Sequence, residues 1–139
     1  MTDLNEAAIE RIASKFLDRS LSKSEWSHAA HFAVALWLLR AGRAAELPER
    51  IRAYNAATGV ANTATSGYHA TITRASLVVA AAALANARDA PLSTILATLL
   101  ATRYCASNWP LTHWSRDRLF APEARADWVE PDLLPLESW

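Results

Sequence analysis

Four histidines offer the chain its most direct route to chemistry: His28, His31, His69 and His113. The first two stand three residues apart in W-S-H-A-A-H over residues 26–31. On a helix, that spacing turns two side chains about 60° from one another and one turn along the axis, so both imidazoles face one crevice. His69 follows Gly67-Tyr68, and Thr73 and Ser76 continue its face four and seven positions later. Three imidazoles from two helices would make the inner ligands of one divalent transition metal, with a position open for water or substrate. Glu25 lies three residues before His28, the E-x-x-H spacing that metal sites in helical bundles use. Between Arg50 and Arg116, however, Asp89 is the sole acid. A carboxylate-rich two-metal centre lacks ligands, and a mononuclear, histidine-dominated site is the better form of the idea. The three histidines would be the ligands or the general acid/base set, with Tyr68 as a catalytic donor of a proton or hydrogen bond; in a metal-free enzyme, His69 or Glu25 would be the catalytic base. Asn62 and Arg116 would bind substrate, with the guanidinium on an anionic group.

Blander readings stand beside these. A buried histidine commonly serves as a hydrogen-bonded core residue, and a polar pocket needs no metal. Glu25 also completes the capping box Ser22-Lys-Ser-Glu25, which would occupy its carboxylate. His113, in a short segment near the C-terminus, reads as an exposed residue. Near it, Trp109, Trp114, Arg116, Arg118, Phe120, Arg125 and Trp128 mix flat rings with guanidinium groups. They would form either a lid with an arginine facing a ligand's carboxylate or phosphate, or a packed seam in which Arg125 pairs with Asp117 or Glu130. Cys105 has no clearly placed histidine to activate it, and no glycine-rich phosphate loop or serine nucleophile elbow is present.

These residues must be positioned by helices. Leu4, Ala8, Ile9, Ile12, Phe16 and Leu17 recur at helical spacing and predict a first helix over 4–18. The capping box places the second helix from Ser22 to about Arg40, apolar on every face between Ala29 and Leu39 and therefore central. Pro48 and Gly59 bracket a third helix over 48–58. A turn-rich stretch, VANTATSG, leads into a fourth, largely apolar helix over 67–87. Asp89-Ala-Pro91 opens a fifth that reaches about Tyr104, and Asn108-Trp-Pro110 opens a short one through about Arg118. Ala121-Pro122-Glu123 opens a single turn, and VEPDLLPLESW should lie extended along the surface. No stretch alternates with period two. The expected fold is all-α, a compact bundle of five to six helices with an extended C-terminal tail, built as one helical domain over residues 1–139.

Composition agrees and narrows the partners. The chain holds 30 alanines but only 3 glycines, which favours helix. Its 14 basic and 14 acidic side chains cancel, which excludes a nucleic-acid protein held by a strong positive field. The two longest apolar stretches, 29–39 and 75–85, fall well short of the ~20 residues needed to span a bilayer, and the polar N-terminus is no signal peptide. A cytoplasmic protein without a membrane partner is expected. One cysteine excludes an internal disulfide framework.

The stretches 26–37, 51–73, 114–125 and 128–136 resemble a family of short uncharacterised bacterial proteins carrying W-S-H-x-x-H and N-T-x-T-S-G-Y-H-x-T-I-T motifs. In that family the residue after the second motif's histidine is commonly acidic, whereas this chain has Ala70, so a carboxylate beside His69 is missing. The resemblance implies that the histidine and Tyr68 segments and the arginine-rich tail form one unit, and it brings no activity with it. The functional expectation is a small bacterial protein with a histidine-centred pocket, binding or transforming a small polar molecule. The alternative is a non-catalytic helical adaptor, or a homo-oligomer, whose Trp/Arg-rich C-terminal segment covers a partner or second subunit.

Overall fold

A computed structural model describes residues 4–136. Among them there is no strand, and seven α-helices alternate with short 3₁₀ turns. Five are long: α1 (Glu6–Leu17), α2 (His28–Arg40), α3 (Leu47–Ala57), α4 (Ala70–Asn86) and α5 (Leu92–Leu100). Two short ones, α6 (Arg116–Leu119) and α7 (Pro122–Ala126), precede the extended stretch that runs to residue 136. Trp139 and the last residues of the expected tail lie outside the described residues.

Helix α2 is the axis of the molecule. Phe32 through Leu36 are buried without interruption, because α1, α4 and α5 all pack on α2. The amphipathic α1 contributes Ile9, Ile12, Ala13 and Phe16. From α4 come Ala75, Val79, Ala80 and Ala83, whose small side chains let the α2 backbone approach closely. Buried side chains from α1 through α6 form one continuous apolar cluster.

Helix starts show where local signals held and where they misled. Asn5 caps α1, its Oδ1 accepting from Ala8 N at 2.8 Å. The second helix does not begin at Ser22. Lys23–Glu25 is a 3₁₀ turn, and Ser27 is the cap of α2, with Oγ accepting from Ala30 N at 3.1 Å. Glu25 therefore completes no capping box. Its carboxylate accepts from Arg11 Nη2 at 2.6 Å and from Ser22 Oγ at 3.0 Å. The expected fifth helix stops at Leu100 rather than Tyr104, and a 3₁₀ turn at Arg103–Cys105 follows. The expected helix from Asn108 to Arg118 divides into a 3₁₀ turn at Trp109–Thr112 and α6, which Ser115 caps.

One loop needs its glycine. Gly67 has φ +78°, and a Cβ there would stand 2.5 Å from Ala61 O and 2.6 Å from Asn62 Oδ1. Left-handed backbone and the close approach of the 61–62 segment both demand glycine.

Candidate functional site

The three histidines expected to bind a metal do not converge. Among the described residues, no three histidine, cysteine, aspartate or glutamate side chains are grouped so as to hold an ion. Because α2 starts at residue 28, His28 and His31 occupy its first turn, not a buried mid-helix face. His28 Nε2 donates to Tyr104 O at 2.7 Å, tying α2 to the turn after α5. His31 Nδ1 donates to Ser27 O at 2.7 Å while its ring stacks on Trp26 at 3.8 Å between centroids. The residue as a whole is exposed, yet that packing shields the imidazole and holds its pKa below the usual value. His69 is the N-cap of α4. Its Nδ1 accepts from Ile72 N at 3.2 Å and its Nε2 donates to Leu119 O at 2.7 Å. With one nitrogen accepting and the other protonated, His69 has no lone pair left for a metal.

The fourth histidine departs furthest from expectation. His113 is completely buried. Arg103 can only donate, so His113 Nε2 accepts from Arg103 Nη1 at 2.7 Å, and Nδ1 carries the proton that goes to Leu134 O at 2.9 Å. His28, His69 and His113 thus staple distant segments through a backbone carbonyl, while His31 bonds to the cap of its own helix.

Other expected site residues are likewise engaged. Glu25 is a partly buried partner of Arg11, and the Arg11 hydrogen bond above all keeps its carboxyl below the usual range, so it is a paired carboxylate and not a buried free base. Asn62 organises its loop: Oδ1 accepts from Tyr68 N and Asn55 Nδ2, both at 3.0 Å, and Nδ2 donates to Arg52 O at 3.1 Å. Arg116 is exposed on α6, its guanidinium 5.7 Å from the Phe120 ring centroid, away from the cleft described below. Arg125 pairs with neither Asp117 nor Glu130. Its Nη1 donates to Gly67 O at 2.8 Å and joins α7 to the 60–68 loop.

Among the expected site residues, Tyr68 faces an opening. It lines a cleft of about 270 Å³ with Thr73, Arg74 and Leu77 of α4, Pro48 of α3, and Asp127 and Trp128 beyond α7. The C-terminal wall is fixed from beneath. Thr71 Oγ1, fully buried, lies 2.7 Å from Ala124 O and 3.0 Å from Asp127 O and accepts from Val129 N at 3.2 Å. Trp114, also fully buried, donates from Nε1 to Val129 O at 3.0 Å and meets Trp128 edge-on, centroids 5.5 Å apart. Sequence reasoning passed over Thr71, although it sits inside the N-T-x-T-S-G-Y-H-x-T-I-T run. Its two-residue offset from His69 was the available signal, since it faces α7 where Thr73 faces the cleft.

Both aromatic walls of the cleft carry a guanidinium. Arg52 lies 4.2 Å from the Tyr68 ring centroid and is ion-paired with Glu49, while Arg74 lies 4.8 Å from that of Trp128. Burial raises the Tyr68 pKa and outweighs the Arg52 charge and the Thr73 hydroxyl, which pull it down. The phenol consequently keeps its proton at neutral pH and is a hydrogen-bond donor. Thr73 gives its own hydroxyl proton to His69 O at 2.8 Å, which leaves its oxygen as an acceptor.

Comparison of the chain with family models, curated proteins and solved structures finds no match. Among the described residues no helix is long and apolar enough to cross a membrane.

Proposed function

We propose that this chain is a small-ligand-binding helical protein, and that its ligand is a compact polar molecule held in the cleft beside Tyr68. One observation carries the reading. The stretches 62–73 and 125–131, far apart in sequence, are fastened to one another so that Tyr68 and Trp128 line the same opening. An apolar floor with a few convergent polar groups is the usual make-up of a ligand pocket. The site works with the phenol, hydroxyl and charged groups of the chain, and His69 supports it from behind through the bond from Thr73 Oγ1 to its carbonyl. Titrating the isotopically labelled protein with a panel of small amines, carboxylates, amino acids and sugars tests this by NMR. At least one class should shift the Tyr68, Thr73, Arg74 and Trp128 resonances, and Tyr68→Phe should weaken that binding several-fold. A panel that leaves all four unmoved would count against the reading.

A self-associating adaptor is the second reading, and one observation favours it. Phe120, Leu133 and Leu134 are three of the four large exposed apolar side chains among the described residues, and all lie in the C-terminal segments. Light scattering across a concentration series decides it: a dimer lost in Leu133→Ser/Leu134→Ser would support self-association, and a monomer throughout would remove it.

A further inference from the structure

The cleft carries two opposite charges that do not neutralise one another. Arg74 on α4 and Asp127 after α7 both line it, yet their charged atoms stand more than 4 Å apart, and among the described residues Arg74 has no carboxylate partner. Asp127 Oδ1 accepts from Trp128 N at 2.7 Å, which orients the carboxylate without cancelling its charge. Asp127 is near enough to the phenol to raise the Tyr68 pKa. The rest of the lining is largely apolar and includes Ala45, Pro48 and Leu77.

Opposite charges across one opening select a molecule that carries both. A simple anion would meet Asp127 as well as Arg74, and a simple cation would meet Arg74, and like-charge juxtaposition disfavours each. A zwitterion satisfies both ends. At about 270 Å³ the cleft falls just below the ~300–1,000 Å³ of pockets for larger ligands, which suits a molecule of amino-acid size. We propose that the cleft binds a free apolar α-amino acid. Its carboxylate lies on Arg74 with the Tyr68 phenol as further donor, its ammonium lies on Asp127, and its side chain lies on the Ala45, Pro48 and Leu77 surface. The proposal rests on the reading of this cleft as a ligand site given above.

Three probes of one shape separate the contributions: L-leucine, 3-methylbutylamine, which keeps only the ammonium, and 4-methylpentanoate, which keeps only the carboxylate. Each is titrated into the full chain by NMR, alongside the wider panel. L-leucine should move the Arg74, Asp127 and Trp128 resonances at least about ten-fold more tightly than either analogue. Arg74→Gln should erase its advantage over the amine, and Asp127→Asn, which retains the acceptor for Trp128 N, should erase its advantage over the acid. Both side chains are exposed, so neither variant threatens the fold. Equal binding of all three probes overturns the amino-acid assignment. So does binding of other panel members at the cleft without L-leucine, and that result leaves the cleft standing as a ligand site. Silence from the whole panel overturns both.

Discussion

A histidine with both nitrogens committed to backbone groups reports on pH. His69 loses water on folding, and this, with the Arg125 charge, lowers its pKa against the smaller opposing effect of its bond to Leu119 O. Protonation would also remove the acceptor that caps Ile72 N. The unfolded chain therefore takes up a proton near pH 6.5 that the folded chain resists. Stability from this residue is complete above about pH 6.5 and falls as the pH drops through that value toward the lower folded pKa. Glu46, held down to about 2 by Arg43 and then Arg50, stays charged across the whole window and does not confuse it. We expect urea midpoints to fall between pH 7.5 and 5.5 in the native chain. His69→Asn, which can still cap α4, should have a lower midpoint at pH 7.5 and a flatter profile; an unchanged slope would reassign the effect. The same committed nitrogens predict that zinc added to tag-free protein leaves the melting temperature unmoved.

At the scale of elements, side chains fasten the C-terminal segments by bonding to main-chain groups. Thr71→Val keeps the shape but leaves Val129 N without its acceptor and Ala124 O and Asp127 O without their donor, a loss of about 1–3 kcal/mol. Denaturant unfolding should register it as a lower midpoint at unchanged slope. Gly67→Ala combines a positive φ with a 2.5 Å encounter with Ala61 O, and it should cost more than the ~1 kcal/mol typical of backbone effects alone. Tyr68 amide exchange should quicken with it, since Asn62 Oδ1 must move. The element scale also shows what could be read in advance. Apolar spacing marked α1, all-round apolar runs marked α2 and α4, and proline, glycine and capping residues marked α3 and α5, so all five long helices were foreseen. The start of α2 was misplaced because Ser22-x-x-Glu25 has the composition of a cap, whereas Arg11, brought in by α1, claims the glutamate. That pairing joins residues 14 apart, and no local rule sees it.

For the molecule as a whole, the helical angle between His28 and His31 was legible, but what the helix would pack against was not. Tyr104 O meets His28 across 76 residues and Leu119 O meets His69 across 50. Backbone carbonyls carry no residue-type signature, so the histidines were easier to read as ligands than as donors to backbone. The tryptophans followed the same logic: Trp109 and Trp114 are interior packing, and among the described residues only Trp128 reaches the cleft wall. Removing residues 127–139 should expose Trp114 and delete that wall together. The expected result is red-shifted tryptophan fluorescence and a lower melting temperature, whereas an unshifted spectrum would show that the segment is dispensable to the core.

The fastening of residues 127–129 to Thr71 also sets an order of events during synthesis. Helices α1 to α5 can gather around α2 while later residues are still being added. The opening beside Tyr68, however, has no second wall until Trp128 has left the ribosome and closed a loop of more than fifty residues onto α4. A nascent chain halted near residue 110 would hold a nearly finished core and no pocket. On the reading proposed above, ligand binding is acquired only once residues 127–129 have docked on α4.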